Sequence, residues 1–175
     1  VLDALGALVD KSLVSVDAGE VPRYRLLESA RALALEQLVA GGEVDVVRLR
    51  HAQAVCAFFV QAAELRFGEG GRATLAQYQA ATSADVDNAR AALDWAEQAG
   101  DWPTAIRLAG AAAQCFMQLG LTVEIGHRLQ SLSAHVDDSI PPTHAAQFWG
   151  MLKSAGPWIG MTTADMTACA QRDVD

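Results

Sequence analysis

Cysteines and aromatics are scarce in this 175-residue chain, and positive charge is never in excess. Cys56, Cys115 and Cys169 are its 3 cysteines, each more than about fifty residues from the next. An odd number argues against a disulfide framework, and the spacing gives no metal-like cysteine pair. Two of them fall in helical apolar patterns, so buried thiols in a reducing cytosol are expected. No apolar run approaches the roughly 18 residues of a membrane span, and no signal-peptide pattern is present. Lys and Arg total 13 against 21 Asp and Glu, for a net charge of −8. Split at His51, the first part carries 6 basic and 8 acidic residues, leaving 7 and 13 for the rest. Neither part has the basic surplus of a surface that neutralises phosphates, so direct nucleic-acid binding by this chain is not expected. A cytoplasmic protein with no membrane contact is expected instead.

Aromatics supply only 6% of the residues, within a hydrophobic share of 51% in which alanine is prominent. Such a composition suits closely packed helices better than a large sheet. The chain is organised around Arg23-Tyr24-Arg25-Leu26-Leu27-Glu28-Ser29-Ala30-Arg31. Ser12–Val16 and the Arg23–Leu27 segment flank Asp17-Ala18-Gly19-Glu20, a turn-rich gap that predicts a hairpin with Gly19 able to supply a positive φ. After Leu27 the apolar spacing changes from two to three and four, the helical period. The chain opens on Val1 inside a helical pattern, as expected of a piece of a longer protein.

Leu2, Leu5, Leu8 and Val9 predict a first helix up to Asp10. Leu27, Ala30, Ala34 and Leu38 form one stripe of a helix stopped by Gly41-Gly42. A long helix from Val44 to Leu65 is expected to turn Val47, Ala54, Phe58, Ala62 and Leu65 inward. A glycine-rich loop and a short helix over Leu75–Ala81 follow. Thr82 and Asp85 have the spacing of a capping box for a helix with Val86, Ala89, Leu93 and Ala96 on its apolar face. Asp87, Arg90 and Asp94 stand where they can pair on the other side. Pro103 opens a helix burying Ile106, Ala109, Ala113 and Phe116. Ile125, Leu129, Leu132 and Val136 mark the next. Thr143 is placed to cap one carrying Ala145, Phe148, Trp149 and Leu152, and Thr163–Cys169 predicts a last, frayed helix. Pro103 and Pro142 begin corresponding helices about 40 residues apart, within the range of helical-hairpin repeats. The fold class expected is therefore mainly α: a β-hairpin followed by a stack of helical hairpins with a face left for partners.

Several strings, in order, carry a family resemblance. They are Leu8-Val9-Asp10-Lys11-Ser12-Leu13-Val14, Arg23-Tyr24-Arg25-Leu26-Leu27-Glu28, Arg50-His51, Asp87-Asn88-x-Arg90-Ala91-Ala92-Leu93-x-Trp95, Gly100-Asp101 and Leu108-Ala109. Over Leu5 to Leu129 the chain resembles bacterial transcriptional regulators built on a STAND-type (apoptotic-ATPase-like) NTPase. In that family a DNA-binding domain is followed by a P-loop ATPase, a winged-helix module and a tetratricopeptide-like sensor array. The resemblance implies that residues 1–28 end the winged-helix module, 29–81 form linking helices and 82–175 form the array. It implies ATP or ADP as the cofactor of the parent protein and none in this chain, which has no counterpart of the P-loop. Ala89 stands where the family usually has leucine, Leu33 where it has an aromatic, and the last forty or so residues match loosely.

The same resemblance puts Tyr24-Arg25 where relatives place nucleotide-sensing residues, although their frequent His-Asp pair is missing. Arg25 could reach a phosphate as a bidentate donor; its plain alternative is an arginine on an exposed edge strand. Asp87-Asn88 with Arg90 and Trp95 reads first as helix-start electrostatics and packing. His51, His127, His135 and His144 have no metal-ligand spacing, and no metal site is expected. Trp102, Trp149 and Trp158 lie near helix ends, as packing residues or as a partner surface. The function expected is a non-catalytic sensor segment that receives a protein partner or small effector for attached ATPase and DNA-binding domains. A self-contained helical-repeat adaptor is the alternative, and a small hydrolase using scattered Asp and His a third, for which no motif argues.

Overall fold

The computed structural model describes residues 2–17, 22–68 and 70–172. It is mainly helical, with one two-stranded antiparallel hairpin ahead of an array of helices. Two compact units divide between Val47 and Arg48.

In the first unit, α1 spans Leu2–Asp10. Ser12 takes a left-handed φ of 55°, and the Leu13 amide returns to the Leu8 carbonyl at 2.9 Å, a cap that satisfies an orphan carbonyl. Strands β1 (Val14–Asp17) and β2 (Arg23–Leu26) pair with Val14 opposite Leu26 and Asp17 opposite Arg23. The turn between them, with Gly19, lies outside the described residues. Helix α2 (Glu28–Ala40) follows, ending at Gly41 and at Gly42 with φ 68°. Its predicted inward stripe does not form. Ala34 is exposed, Ala30 and Leu38 are half-buried, and α2 buries none of its residues. Among the described residues of this unit Val14 alone is buried.

Helix α3 spans Val44–Phe67 and buries Ala52, Cys56, Phe59, Val60 and Ala63. The sequence reading chose a different face. Val47, Ala54, Phe58 and Leu65 are exposed and Ala62 is half-buried. Apolar residues surround this helix, so spacing alone does not single out a stripe. Helix α4 (Leu75–Thr82) is capped by a true box: the Gln77 amide donates to Thr74 Oγ1 at 3.2 Å, and the Thr74 amide to Gln77 Oε1 at 2.8 Å. The box expected at Thr82 and Asp85 is absent. Thr82 is the last residue of α4, fully buried, and its hydroxyl donates to the Tyr78 carbonyl at 2.8 Å. A single 3-10 turn, Ser83–Asp85, leads on instead.

Helices α5 (Val86–Ala99) and α6 (Trp102–Gln118) form a hairpin through Gly100, at φ 71°. The Thr104 amide donates to the Asp101 carboxylate at 3.2 Å, which caps α6, and Pro103 sits in its first turn. Helices α7 (Thr122–Leu132) and α8 (Pro142–Ala155) form the second hairpin. Pro141, and not Thr143, is the N-terminal cap residue of α8. Helix α9 spans Thr163–Arg172, with the Thr162 and Asp165 side chains bonded across its first turn at 2.7 Å.

Helix α6 is the centre of this second unit. It packs against α4, α5, α7 and α8 and buries ten of its residues, including Ile106, Leu108, Phe116 and the run Ala111–Ala113. Small side chains on every face let four helices approach it. At Gly110 an added Cβ would lie 3.2 Å from Phe148 Cα and 3.3 Å from Phe148 N, so the α6 and α8 backbones nearly touch. Burying side chains such as Phe116, Phe148 and Leu129 contributes about 1.5–3 kcal/mol each. The two hairpins stack in one direction. Arg90 of α5 pairs with Glu124 of α7, and Asp94 with Arg128, both 34 residues apart in sequence. A constant difference between partners requires parallel helices; antiparallel helices would keep the sum constant. Among the described residues no helix is long and apolar enough to cross a membrane.

Candidate functional site

Two features of the second unit can meet another molecule: the charged α5–α7 face and a pocket between α3 and α8. On the charged face Arg90 is the hub. Its Nε and Nη2 donate to Glu124 Oε1 and Oε2 at 2.6 and 2.8 Å, a bidentate pair. Its Nη1 donates to Asp87 at 2.6 Å, and the guanidinium carbon lies 5.6 Å from the centre of the Phe116 ring. Hydrogen bonding from Arg90 holds the Glu124 carboxyl below its ordinary range. One turn further on, Arg128 reaches Asp94 at 2.6 Å and Glu97 at 3.2 Å. Burial outweighs the Arg128 charge at Glu97 and pushes that carboxyl above its usual value. The predicted Asp87–Arg90 pair therefore forms, whereas Asp94 turns to α7 for its partner. Asn88 Nδ2 donates to Asp85 at 2.8 Å, and Trp95 is half-buried.

The pocket has a volume of about 580 Å³, within the roughly 300–1,000 Å³ typical of small-molecule sites. Val60, Ala63 and Phe67 come from α3, and Ala146, Gly150 and Met151 from α8. Glu64, Thr143, His144 and Gln147 supply the polar lining. Glu64 and Phe67 are exposed, so the pocket opens to solvent. His144 Nδ1 lies 3.3 Å from the Thr143 hydroxyl, and its Nε2 is buried with no hydrogen-bond partner. Burial first, and then the Arg107 charge, lower the pKa of this imidazole; Glu64 opposes them.

The other residues singled out in the sequence are dispersed. Arg25 is exposed on β2, where its carbonyl accepts from the Ser15 hydroxyl at 3.4 Å. His51 and His127 are exposed. His135 stacks on Trp102, with centroids 3.7 Å apart and planes 10° from parallel. Trp149 is buried edge-on against Phe148, whereas Trp158 is 68% exposed. The three cysteines are buried, and burial raises the pKa of the Cys56 and Cys115 thiols. Among the described residues no three His, Cys, Asp or Glu side chains come together as metal ligands. Sequence reasoning missed the pocket. Its two walls lie about eighty residues apart, and no local spacing announces their meeting.

A partial likeness to transcriptional regulators accompanies this architecture. The chain is 40% identical over 110 residues to a candidate HTH-type transcriptional regulator of Mycobacterium tuberculosis and to one of Mycobacterium bovis. The match takes in 62% of this chain but only 12% of each relative, so the chain corresponds to a small part of those proteins. No protein-family profile matches the chain, and no solved structure matches it significantly.

Proposed function

We propose that this chain is a non-catalytic sensor segment of an ATPase-coupled bacterial transcriptional regulator. The observation that carries the reading is the 34-residue register between α5 and α7, which equals the tetratricopeptide period of 34 residues. Likeness to HTH-type regulators supports the regulatory role. On this reading residues 82–175 are a tetratricopeptide-like array that receives an effector or protein partner. Residues 1–28 are the end of a winged-helix module, and 29–81 link the two. A helix and hairpin with a single buried side chain among the described residues lack a core of their own, which suits the tail of a larger module.

The ATPase and DNA-binding domains, and the ATP or ADP they use, belong to the parent protein, which acts in the cytoplasm. Arg25 is its nucleotide-sensing candidate. Signalling requires that the effector prefer one conformation of the regulator over another. The test is deletion of everything beyond Gly42 from the intact regulator. Effector-dependent ATP turnover and promoter binding should be lost, and unchanged behaviour would overturn the proposal. A self-contained helical-repeat adaptor is the competing reading. It predicts no Gly-x-x-x-x-Gly-Lys-Ser/Thr motif in the same coding sequence.

A further inference from the structure

The pocket between α3 and α8 has a chemistry that narrows its occupant. Its lining is mostly apolar, as a hydrocarbon or aromatic body requires. Glu64 is the single acidic residue among its lining residues, which include no lysine or arginine. Thr143 and Gln147 add neutral groups that can accept or donate hydrogen bonds. From these features we infer that the pocket binds an amphiphilic ammonium ligand, its apolar body between Phe67 and Met151 and its cationic head on the Glu64 carboxylate.

Charge complementarity argues for the sign of that head. Burial and the Arg107 charge disfavour a cationic His144, against a smaller opposing pull from Glu64. Arg107 is not among the lining residues; it acts on His144 from α6. The chain as a whole carries −8, which raises the local concentration of cations and lowers that of anions. A carboxylate of the same shape could accept from Thr143, Gln147 or His144, but would meet no opposite charge among the lining residues and would be repelled by Glu64. This inference rests on the sensor reading, since it names the class of effector that the array would take.

Three probes with one apolar body test it on the whole chain by titration calorimetry: 4-phenylbutylammonium, 4-phenylbutan-1-ol and 4-phenylbutyrate. The ammonium should bind about ten-fold tighter than the alcohol, the size expected of a hydrogen bond to a charged group, and the carboxylate weakest. Glu64→Gln should remove the advantage of the ammonium and leave the alcohol unchanged. Ala146→Phe should fill the cavity and abolish binding of all three. Equal or tighter binding of the carboxylate, an ammonium preference that survives Glu64→Gln, or no binding at all would each overturn the inference. Concentration-dependent dimerisation that Ala146→Phe abolishes would also overturn it, by assigning the pocket to a second copy. Should Ala146→Phe fail to fold, the probe series and Glu64→Gln still decide. The deletion test of the sensor reading uses the intact regulator and no probe, so either reading can fail without the other.

Discussion

Arg90 on α5 and Glu124 on α7 meet in a bidentate pair at 2.6 and 2.8 Å, and one turn along Asp94 and Arg128 repeat the contact with the charges exchanged. The exchange favours one register. A shift of α7 by one turn would bring Arg90 towards Arg128 or Asp94 towards Glu124. Arg90 and Glu124 are each about one-third exposed, so solvent screens their attraction. A double-mutant cycle with Arg90→Ala and Glu124→Ala should give a coupling of about 0.5–1 kcal/mol. Urea denaturation of the four proteins measures it, and a coupling indistinguishable from zero would show that the pair does not hold the hairpins together.

Gly110 sits where α6 comes closest to α8. Alanine in place of glycine inside a helix ordinarily gains up to about 1 kcal/mol. Here the new Cβ would stand 3.2–3.3 Å from backbone atoms of Phe148, which cannot rotate away. Overpacking costs about 1–3 kcal/mol, so Gly110→Ala should be destabilising by about 1 kcal/mol or more. Gly126 is tighter still. Its added Cβ would lie 2.8 Å from the Ile159 Cγ2 methyl, which sits on a stiff β-branched carbon, and 3.3 Å from Ala155 Cβ. Gly126→Ala should therefore cost at least as much, although no backbone atom is the nearest neighbour. Urea midpoints decide the order, and a stabilised Gly110→Ala would refute the close approach.

How far the sequence revealed this structure depended on the contrast between faces. The stripe of α5 was legible because Asp87, Asn88, Arg90, Asp94 and Glu97 mark its polar side, and the structure buries Leu93. Helix α6 is apolar nearly all round, so the residues chosen for its stripe, Phe116 among them, are buried along with most of their neighbours. The buried face of α3 was not legible, because Val55, Phe58, Phe59 and Val60 leave little contrast, and which of them is buried depends on packing partners remote in sequence. The Thr82–Asp85 box failed for a local reason. A threonine with an acid three residues on marks a start only when the threonine is not already the end of another helix. Of the candidate site, the Asp87–Arg90 pair was visible at helical spacing. Glu124, Arg128 and the pocket were not, because each depends on how one hairpin meets the next.

Tyr78 ties α4 to the central helix. It is 2% exposed, and its hydroxyl donates to the Ala111 carbonyl of α6 at 2.7 Å. Burial pushes the phenol far above its ordinary pKa, so it remains a donor at any working pH. Tyr78→Phe keeps the ring and removes one buried hydrogen bond, and should cost about 1 kcal/mol. Tyr78→Ala also opens a cavity and should cost about 3–5 kcal/mol. Thermal or urea unfolding monitored by circular dichroism measures both, and equal losses would show that ring packing contributes little.

His144 makes stability depend on pH in one direction. Its folded pKa is lowered by burial and by Arg107, against a smaller opposing pull from Glu64. The unfolded chain therefore binds more protons than the folded one between the folded value and the ordinary 6.5. Stability from this group is fully present above about 6.5 and falls as the pH drops through the folded pKa. The carboxyls whose folded pKa is lowered, Glu124 and Asp165 among them, lose their contribution as the pH falls through and below the ordinary carboxylate range. Replacing His144 by Gln removes the titration. The unfolding free energy of His144→Gln should then change less between pH 7 and pH 5.5 than that of the parent chain. Urea titrations at a series of pH values read this difference directly, and parallel profiles for the two proteins would show that the imidazole does not titrate with folding.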